Sequence, residues 1–378
     1  VCKDILLLSM RFLTADYLFP LHLAPLKEGV LQITDKGEIV SIFYDRKSVS
    51  KQRLEFFKGI LCPGFINAHC HLELSHLQGI AEKGKGLLDF ISTIKKRNNF
   101  SRKDILTAIA SAEAQMIKNG IVGVGDICNT FDTLYQKQKR NLQYYNFIEV
   151  FGIKDIDENK IIAKAKALRG RFRGSGLQST ICPHAPYSVP KKLMKRIAKN
   201  FDEKDELLTI HIHETEQENE LFQNKKGDLF IWLKSINASS GIWKSRSKSI
   251  DILEELGNKK VLLVHNTFET QQGGRSNYHC TCPKANLYIE KQLPDYSLFE
   301  PEKLCVGTDS LASNNALSIL EELQIIKANS NFDLNELLKI ASKNGAEALG
   351  FTNLGTFESG KKPGVNLISD LNKVKVIA

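Results

Sequence analysis

The chain has 378 residues, of which 42% are hydrophobic and 25% are charged, a composition that is typical of a globular protein and excludes a disordered one. No apolar run approaches the roughly 20 residues that a membrane-spanning helix needs, so we predict no membrane partner. The net charge of +9 comes mainly from lysines spread along predicted helix faces, without a DNA-binding motif. We therefore predict no nucleic-acid partner. The eight scattered cysteines indicate reduced thiols in a cytoplasmic protein.

Three parts of the chain differ in their sequence pattern. Residues 1–57 have the pattern of short strands separated by turns, and residues 351–378 return to strand character. Over residues 58–350, eight apolar strands alternate with amphipathic helices, and Asp104 is predicted to be the N-cap of one helix. This alternation is the pattern of a parallel (β/α)8 barrel, or TIM barrel. We predict an α/β fold: a TIM barrel with a small β-sandwich domain built from both chain ends.

Polar side chains accumulate where the predicted barrel strands end, which is the face that carries the active site in such barrels. The stretch "FINAHCHLELSHLQG" ends the first strand, and its His69 and His71 lie two residues apart, so they point to the same side. The polar residues at the ends of later strands are His184, His211, His213, Glu214, His265 and Asp309. Three or four imidazoles with one carboxylate form a typical ligand set of a catalytic zinc or iron ion.

Two details stay open when only the residues are considered. His211 and His213 share one face of their strand, so either could bind the metal. Cys70, Cys280 and Cys282 suggest a structural zinc site, but the second cysteine pair that such a site usually needs is missing. The sequence also lacks the combined H-x-E and P-C-x-x-C signature of the cytidine deaminases, which excludes that fold.

Four stretches resemble the signatures of the amidohydrolase superfamily, in its nucleobase and nucleoside deaminase branch. They are "PGFINAHCHLE", "HIHETEQE", "LLVHNT" and "VGTDSLASNN", and the resemblance covers essentially the whole chain. It implies one divalent metal, Zn2+ or alternatively Fe2+, bound by His69, His71, His211 and Asp309. The family's spacing between ligand and catalytic glutamate selects His211 with Glu214, which requires the strand to bend after His211.

Two departures from the family's pattern bear on this resemblance. The bridging lysine of the two-metal members is missing from the end of strand 4, which favours a single metal. The family usually has "CPRSN" after strand 7, whereas this chain has "CPKAN" at residues 282–286. The serine-to-alanine change leaves any contact from that loop in doubt.

The resemblance also implies a mechanism. A zinc ion of this kind lowers the pKa of its water to about 7 and supplies the hydroxide that attacks C6 of an aminopurine, which then releases ammonia. In this scheme Asp309 accepts the proton of the water, Glu214 delivers a proton to the neighbouring ring nitrogen, and His265 hydrogen-bonds the reacting centre. The same residues could also remove chloride from a triazine or open a cyclic amide, so the pocket decides the reaction.

The stretches "HCHLELSHLQG" and "GKGLLDFI" resemble the aminofutalosine (aminodeoxyfutalosine) deaminases of the alternative menaquinone pathway. We predict that Glu73 binds ribose hydroxyls, that His184 contacts the substrate, and that Lys83 or Lys85 binds a carboxylate of the substrate. The alternatives are a deaminase of guanine or another adenosine-type compound, a chlorohydrolase-like enzyme, and a non-catalytic barrel scaffold. The predicted partner is a small-molecule substrate. The oligomeric state stays open, with a homodimer as one alternative.

Overall fold

The computed structural model describes residues 10–49, 51–154, 157–201, 207–238, 247–270, 277–369 and 371–378. The strands are β1 (Met10–Leu18), β2 (Leu26–Lys27), β3 (Val30–Thr34), β4 (Ile39–Phe43), β5 (Leu54–Pro63), β6 (Phe65–Cys70), β7 (Ile121–Cys128), β8 (Gln143–Val150), β9 (Ser179–Pro183), β10 (Leu208–Ile212), β11 (Val261–His265), β12 (Tyr278–Thr281), β13 (Leu304–Val306), β14 (Val365–Ser369) and β15 (Lys373–Val376). The α-helices are α1 (Leu87–Ile94), α2 (Arg102–Lys118), α3 (Leu134–Lys137), α4 (Glu158–Gly174), α5 (Lys191–Lys199), α6 (Glu216–Asn224), α7 (Gly227–Ser235), α8 (Pro283–Ile289), α9 (Ile319–Ala328), α10 (Leu334–Leu338) and α11 (Asn344–Leu349). None of the helices in these residues is long and apolar enough to cross a bilayer.

Both ends of the chain contribute to one mixed sheet of seven strands, ordered β15–β14–β5–β1–β3–β4, with β2 paired to β1. Strand β5 connects the two ends, because it pairs in parallel with β1 and antiparallel with β14. Leu13, Leu31, Leu61 and Val365 are fully buried in the core of this sheet. The C-terminal strand β14 therefore pairs with residues 60–63 of β5, which lie beyond the predicted domain boundary at residue 57.

The eight strands from β6 to β13 form two parallel sheets, ordered β6–β7–β8–β9 and β10–β11–β12–β13. Every residue of β6, β9, β10 and β11 is buried, as expected for parallel strands that are covered on both faces. Helices connect consecutive strands: α2 lies between β6 and β7, and α4 between β8 and β9. The predicted α/β class with parallel sheets is thus confirmed.

The two parallel sheets meet at both of their outer edges. On one side, the backbone N–H of His211 donates to the carbonyl oxygen of His184 at 2.9 Å. On the other side, the backbone N–H groups of Thr308 and Asp309 both donate to the carbonyl oxygen of His69 at 3.1 Å. These contacts bring together the C-terminal ends of strands that are far apart in the sequence, along with the polar residues at those ends.

Helix α2 shows one local error in the sequence interpretation. Its N-cap is Ser101, whose hydroxyl oxygen accepts a hydrogen bond from the backbone N–H of Asp104 at 3.2 Å. The prediction that Asp104 is the N-cap was wrong, because Asp104 lies in the first turn, where its carboxylate accepts from the Ser101 hydroxyl at 2.6 Å. A serine followed three residues later by an acidic residue favours this reciprocal arrangement over capping by the acid itself.

Candidate active site

Three imidazoles and one carboxylate converge where β6, β10 and β13 end. One ring nitrogen from each of His69, His71 and His211 lies within 4.8 Å of the others, and all three residues are buried. The Nε2 atoms of His71 and His211 are 3.2 Å apart. Asp309 Oδ1 lies 3.5 Å from Nε2 of His71 and 3.8 Å from Nε2 of His69. We call these four residues the histidine cluster.

The end of β13 is shaped to bring Asp309 beside His69. A Cβ atom on Gly307 would lie 2.7 Å from the carbonyl oxygen of His69, so only glycine allows the two chain segments to approach this closely. Asp309 itself has a φ angle of 55°, in the left-handed region that aspartate tolerates better than most residues. Residues in such conformations accumulate at functional sites, where the surrounding structure holds them in place.

His211 and His213 have different surroundings. Nδ1 of His211 lies 2.9 Å from the carbonyl oxygen of His184, which fixes the ring so that Nε2 faces the cluster. Strand β10 ends at Ile212 and His213 has a φ angle of 49°, so the expected bend after His211 is present. The His213 ring lies 3.0 Å from Glu269 instead of joining the cluster. The bend turns Glu214, the next residue, toward the same site as His211.

The donor atoms of the cluster fit a divalent metal ion. Within the described residues, neither ring nitrogen of His69 has a hydrogen-bond partner, although both are buried. Burial lowers the pKa of His69 and of His211 well below the ordinary value, so both imidazoles are neutral and keep a lone pair for a metal. Three imidazoles with one carboxylate form a donor set of the kind that binds catalytic zinc.

Glu214 and His265 lie side by side next to the cluster. Both are buried, and Glu214 Oε1 is 3.6 Å from Nε2 of His265. Burial and the nearby charge of Asp309 raise the pKa of Glu214 well above the usual range of a carboxyl group. Burial lowers the pKa of His265. A carboxyl group whose pKa is raised holds its proton more tightly and can act as a proton donor, and Glu214 lies here beside an imidazole whose pKa is lowered.

The model of one protein family, described as the amidohydrolase family, matches residues 60–377. The chain belongs to the amidohydrolase family. The family predicted from the four sequence stretches is confirmed, and with it the prediction that the chain is an enzyme.

Similar proteins include several deaminases. This amidohydrolase is 28% identical to the adenosine deaminase of Helicobacter pylori over 334 residues, covering 82% of this chain and 79% of that protein. It is 25% identical to the 5'-deoxyadenosine deaminase of Methanosphaera stadtmanae over 341 residues, which are 82% of this chain and 74% of that one. The crystal structure of Helicobacter pylori aminofutalosine deaminase with methylthio-coformycin superposes with a TM-score of 0.78 at 23% identity, covering 95% of this chain and 92% of that chain.

Sequence reasoning missed two residues that hydrogen-bond the predicted site residues His265 and Asp309. Oδ1 of Asn286 lies 2.8 Å from Nδ1 of His265, so this ring nitrogen carries the proton and Nε2 faces Glu214. The Ser313 hydroxyl donates to Oδ2 of Asp309. Both residues lie inside quoted motifs, "CPKAN" and "VGTDSLASNN", and that was the available signal. Ala285, at the departure from the family pattern, is fully buried in the apolar core.

Two predicted substrate contacts lie near the cluster but have different partners. The Glu73 carboxylate is fully buried and accepts hydrogen bonds from Arg97, from the backbone of Asn129, and from both the backbone and hydroxyl of Thr130. The His184 ring centroid is 5.0 Å from that of His211. Its Nδ1 lies 2.6 Å from the Ser188 hydroxyl oxygen. That these two side chains bind substrate stays a prediction.

The remaining candidates lie outside the cluster. Lys83 Nζ is 5.3 Å from the centre of the Tyr288 ring, and Lys85 forms an exposed ion pair with Glu82 at 3.7 Å. Cys70, Cys280 and Cys282 are free and buried. Among the residues that the structure describes, the groups able to hold a metal ion contain histidine and glutamate and no cysteine.

Proposed function

We propose that this amidohydrolase is a metal-dependent hydrolytic deaminase that replaces the 6-amino group of an adenine nucleoside by oxygen, with aminofutalosine as the favoured substrate. The observation that carries the proposal is the pairing of buried Glu214 and His265 beside the histidine cluster. The names of the similar proteins, which include adenosine and 5'-deoxyadenosine deaminases, agree with this reaction.

We propose that His69, His71, His211 and Asp309 hold one divalent ion, most simply Zn2+, for which three imidazoles and a single carboxylate are suited. When bound, such an ion supplies water with a pKa near 7, the nucleophile that the reaction needs. The protein labelled as an adenosine deaminase from Xanthomonas campestris, similar in fold with a TM-score of 0.73, has zinc bound.

The chain's own residues move the protons in this proposal. Asp309 Oδ1 faces His69 and His71 and accepts the proton that water loses when its oxygen attacks C6. Glu214, whose pKa is raised by burial, donates its proton to N1 of the adenine ring, which makes C6 more electrophilic. The amino group then gains the proton held by Asp309, the bond from C6 to this exocyclic nitrogen breaks, and ammonia leaves. The proton of the new C6 hydroxyl passes to Glu214, which restores its carboxyl group and leaves a carbonyl at C6. His265, fixed by Asn286, holds its Nε2 toward the reacting atoms.

Several finer features belong to the same proposal. We propose that the two parallel sheets, from β6 to β13, close into a TIM barrel within residues 58–350. Residues 1–57 and 351–378 would form a small sandwich domain together with residues 58–63, because β5 continues to Pro63. The edge contacts His184–His211 and His69–Asp309 support the closure. We also propose that the enzyme acts in the cytoplasm, in menaquinone biosynthesis. It would act on a small molecule without a nucleic-acid or membrane partner, and a homodimer is the oligomer to test.

The test is an ammonia-release screen with the zinc-loaded protein on aminofutalosine, adenosine, 5'-deoxyadenosine, adenine and guanine. The shift in absorbance from adenine to hypoxanthine gives the rate independently of the ammonia assay. We expect aminofutalosine to react fastest, adenosine at an intermediate rate, and free adenine slowly, because a pocket built for sugar hydroxyls discriminates against a base without them. Faster turnover of guanine than of every adenine nucleoside would replace the proposed substrate, and chloride release from a triazine would replace the reaction.

A further inference from the structure

Glu149, at the end of β8, is a buried carboxylate beside the histidine cluster with no role in the mechanism above. Its Oε1 atom is buried and has no hydrogen-bond partner among the described residues, although Nδ1 of His211 lies 3.5 Å away. Its Oε2 atom accepts from the side chain of Asn129 at 3.1 Å. A carboxylate oxygen buried without a donor is costly, so its place beside the reacting groups indicates a ligand that supplies the donor.

A second metal ion does not fit this position. Glu149, His184 and His211 together place one potential ligand atom each within 4.8 Å of one another. However, Nδ1 of His211 already donates to the carbonyl oxygen of His184, and its Nε2 belongs to the histidine cluster. Only Glu149 and His184 then remain as ligands, and two ligands are too few for a stable protein site. The ligand that meets Glu149 is therefore a hydrogen-bond donor.

Glu149 and Glu73 are buried carboxylates near the cluster that have no role in the mechanism above, and they differ in how many hydrogen-bond donors they already have. A carboxylate can accept about four hydrogen bonds. Glu73 accepts four, one from Arg97, one from the backbone of Asn129 and two from Thr130. Glu149 accepts from the side chain of Asn129 alone at hydrogen-bonding distance within the described residues. The carboxylate with capacity for a substrate donor is thus Glu149.

An adenine nucleoside has two kinds of donor, the 6-amino group and the sugar hydroxyls. The amino group leaves from C6, which lies where Glu214, His265 and Asp309 act, at the ends of β10, β11 and β13. Glu149 lies at the end of β8, beside His184 at the end of β9. The sugar hydroxyls are therefore the donors that remain for it.

We propose that Glu149 is the specificity-determining carboxylate that accepts a hydrogen bond from a sugar hydroxyl of the nucleoside, and that Glu73 only supports the loop after β7. This inference rests on the proposed function. It has a direct consequence for specificity: a substrate that lacks the hydroxyl leaves Glu149 buried and unpaired, which a site of this kind rejects.

The test compares adenosine with 2'-deoxyadenosine and 3'-deoxyadenosine on the zinc-loaded protein and two variants. In the unaltered protein, we expect kcat/KM to fall at least tenfold for one of the two deoxynucleosides. Glu149→Met removes the acceptor with little change in side-chain length. In this variant the ratio of kcat/KM for adenosine to kcat/KM for that deoxynucleoside should lie within about twofold of one. Glu149→Gln is the second variant, in case Glu149→Met folds poorly. Asn129 donates to the amide oxygen of this glutamine, so an NH2 group takes the place of Oε1 and cannot accept a hydrogen bond from the sugar hydroxyl. Glu73→Gln is the matched control and should keep the ratio of the unaltered protein.

The outcomes separate this inference from the proposed function. A ratio unchanged by Glu149→Met or Glu149→Gln, with kcat/KM lowered equally for all three nucleosides, would mean that Glu149 acts through His211, and would overturn the inference alone. The loss of the ratio in Glu73→Gln would assign the hydroxyl to Glu73 and also overturn it. If the unaltered protein deaminates none of the three nucleosides nor aminofutalosine, both the proposed function and the inference fail.

Discussion

Two buried polar clusters lie close together near the ends of β6 and β7. They differ in whether their polar atoms have hydrogen-bond or ion-pair partners within the protein. In the first, Lys137 and Asp126 are both fully buried and form an ion pair, and Lys137 Nζ also donates to Oδ1 of Asn146 at 2.7 Å. Burial lowers the pKa of Lys137, but Asp126 and Cys128 together outweigh this effect and the pKa is raised overall. In the histidine cluster, by contrast, the His69 ring nitrogens have no partner among the described residues. Burial alone therefore does not distinguish the two clusters; what distinguishes the histidine cluster is that buried ring nitrogens lack internal partners beside other potential metal ligands.

The two clusters are also connected. Oδ1 of Asp126 accepts a hydrogen bond from the backbone N–H of Leu72 at 2.8 Å, and Leu72 directly follows His71. Oδ2 of the same carboxylate pairs with Lys137. The ionic cluster thus fixes the chain segment that places His71 in the histidine cluster. The comparison predicts that changes in the ionic cluster reduce stability, whereas changes in the histidine cluster and its neighbours reduce activity.

The largest effect on activity is expected from Glu214→Gln. The amide preserves the shape of the side chain but cannot donate the proton that we assign to Glu214, so kcat should fall by about 10²–10⁴-fold. Metal content and the free energy of unfolding should stay close to those of the unaltered protein, because Glu214 is not assigned as a ligand. Metal analysis, steady-state kinetics and urea unfolding measure the three quantities.

The control for this prediction is Glu216→Gln, which changes an exposed carboxylate two residues away. It should leave kcat within about twofold, as is usual for surface substitutions that alter stability by at most roughly 0.5 kcal/mol. If the metal content of Glu214→Gln falls in step with its activity, Glu214 is a metal ligand and the assigned roles are wrong.

The sequence was sufficient to place the polar residues at strand ends, because strand alternation and the rule for parallel barrels fix the face on which they meet. It could not decide between His211 and His213 without the family's spacing. The φ angle of 49° at His213, which turns that ring toward Glu269, depends on packing that strand periodicity does not contain. The metal-binding role of His69, His71 and His211 stays a prediction, although the structure gathers them in one cluster.

The supporting residues were harder to predict, because they act over long separations in the chain. Lys137 pairs with Asp126 from another element, and a lysine in α3 has no sequence feature that predicts complete burial. The hydrogen bonds that Arg97 and Thr130 donate to the Glu73 carboxylate likewise form only when the loops have folded. From the sequence, Glu73 was predicted to bind substrate because it lies two residues after the predicted metal ligand His71. In the structure its carboxylate already accepts hydrogen bonds from protein donors.

The largest effect on stability is expected from Lys137→Met. The substitution keeps an apolar stem but leaves the Asp126 carboxylate buried without its charge partner, which typically costs about 3–5 kcal/mol. Urea unfolding measures the loss. Lys139→Met, an exposed lysine two residues away, is the matched control and should change the free energy of unfolding by less than roughly 0.5 kcal/mol. A loss below 1 kcal/mol for Lys137→Met would contradict the ionic cluster's structural role.

A smaller effect on activity is expected from Asn286→Ala, which removes the group that orients His265. Loss of such a supporting hydrogen bond typically lowers activity by about 10–100-fold. Asn286→Asp keeps an acceptor for the His265 Nδ1–H and should recover most of the rate, a result that a merely space-filling role for Asn286 would not produce. Equal rates for the two variants would show that His265 does not depend on this hydrogen bond.

The smallest effect is expected from Ser313→Ala, at the boundary between support and metal binding. The Ser313 hydroxyl donates to Oδ2 of Asp309, the oxygen that faces away from His69 and His71, so its loss frees the carboxylate to rotate. A hydrogen bond from a neutral hydroxyl to a charged carboxylate contributes about 1.5–3 kcal/mol. Solvent or neighbouring groups replace part of this contribution when the hydroxyl is removed. We therefore expect metal affinity to fall about tenfold. Competition with a chelator of known affinity measures the change.

Ser310→Ala is the control, because its hydroxyl lies 3.2 Å from Ser313 Oγ and makes no contact with the Asp309 carboxylate among the bonds of the described residues. If Ser310→Ala weakens metal binding as much as Ser313→Ala, the effect comes from the serine pair as a whole, and the direct support of Asp309 by Ser313 is disproved.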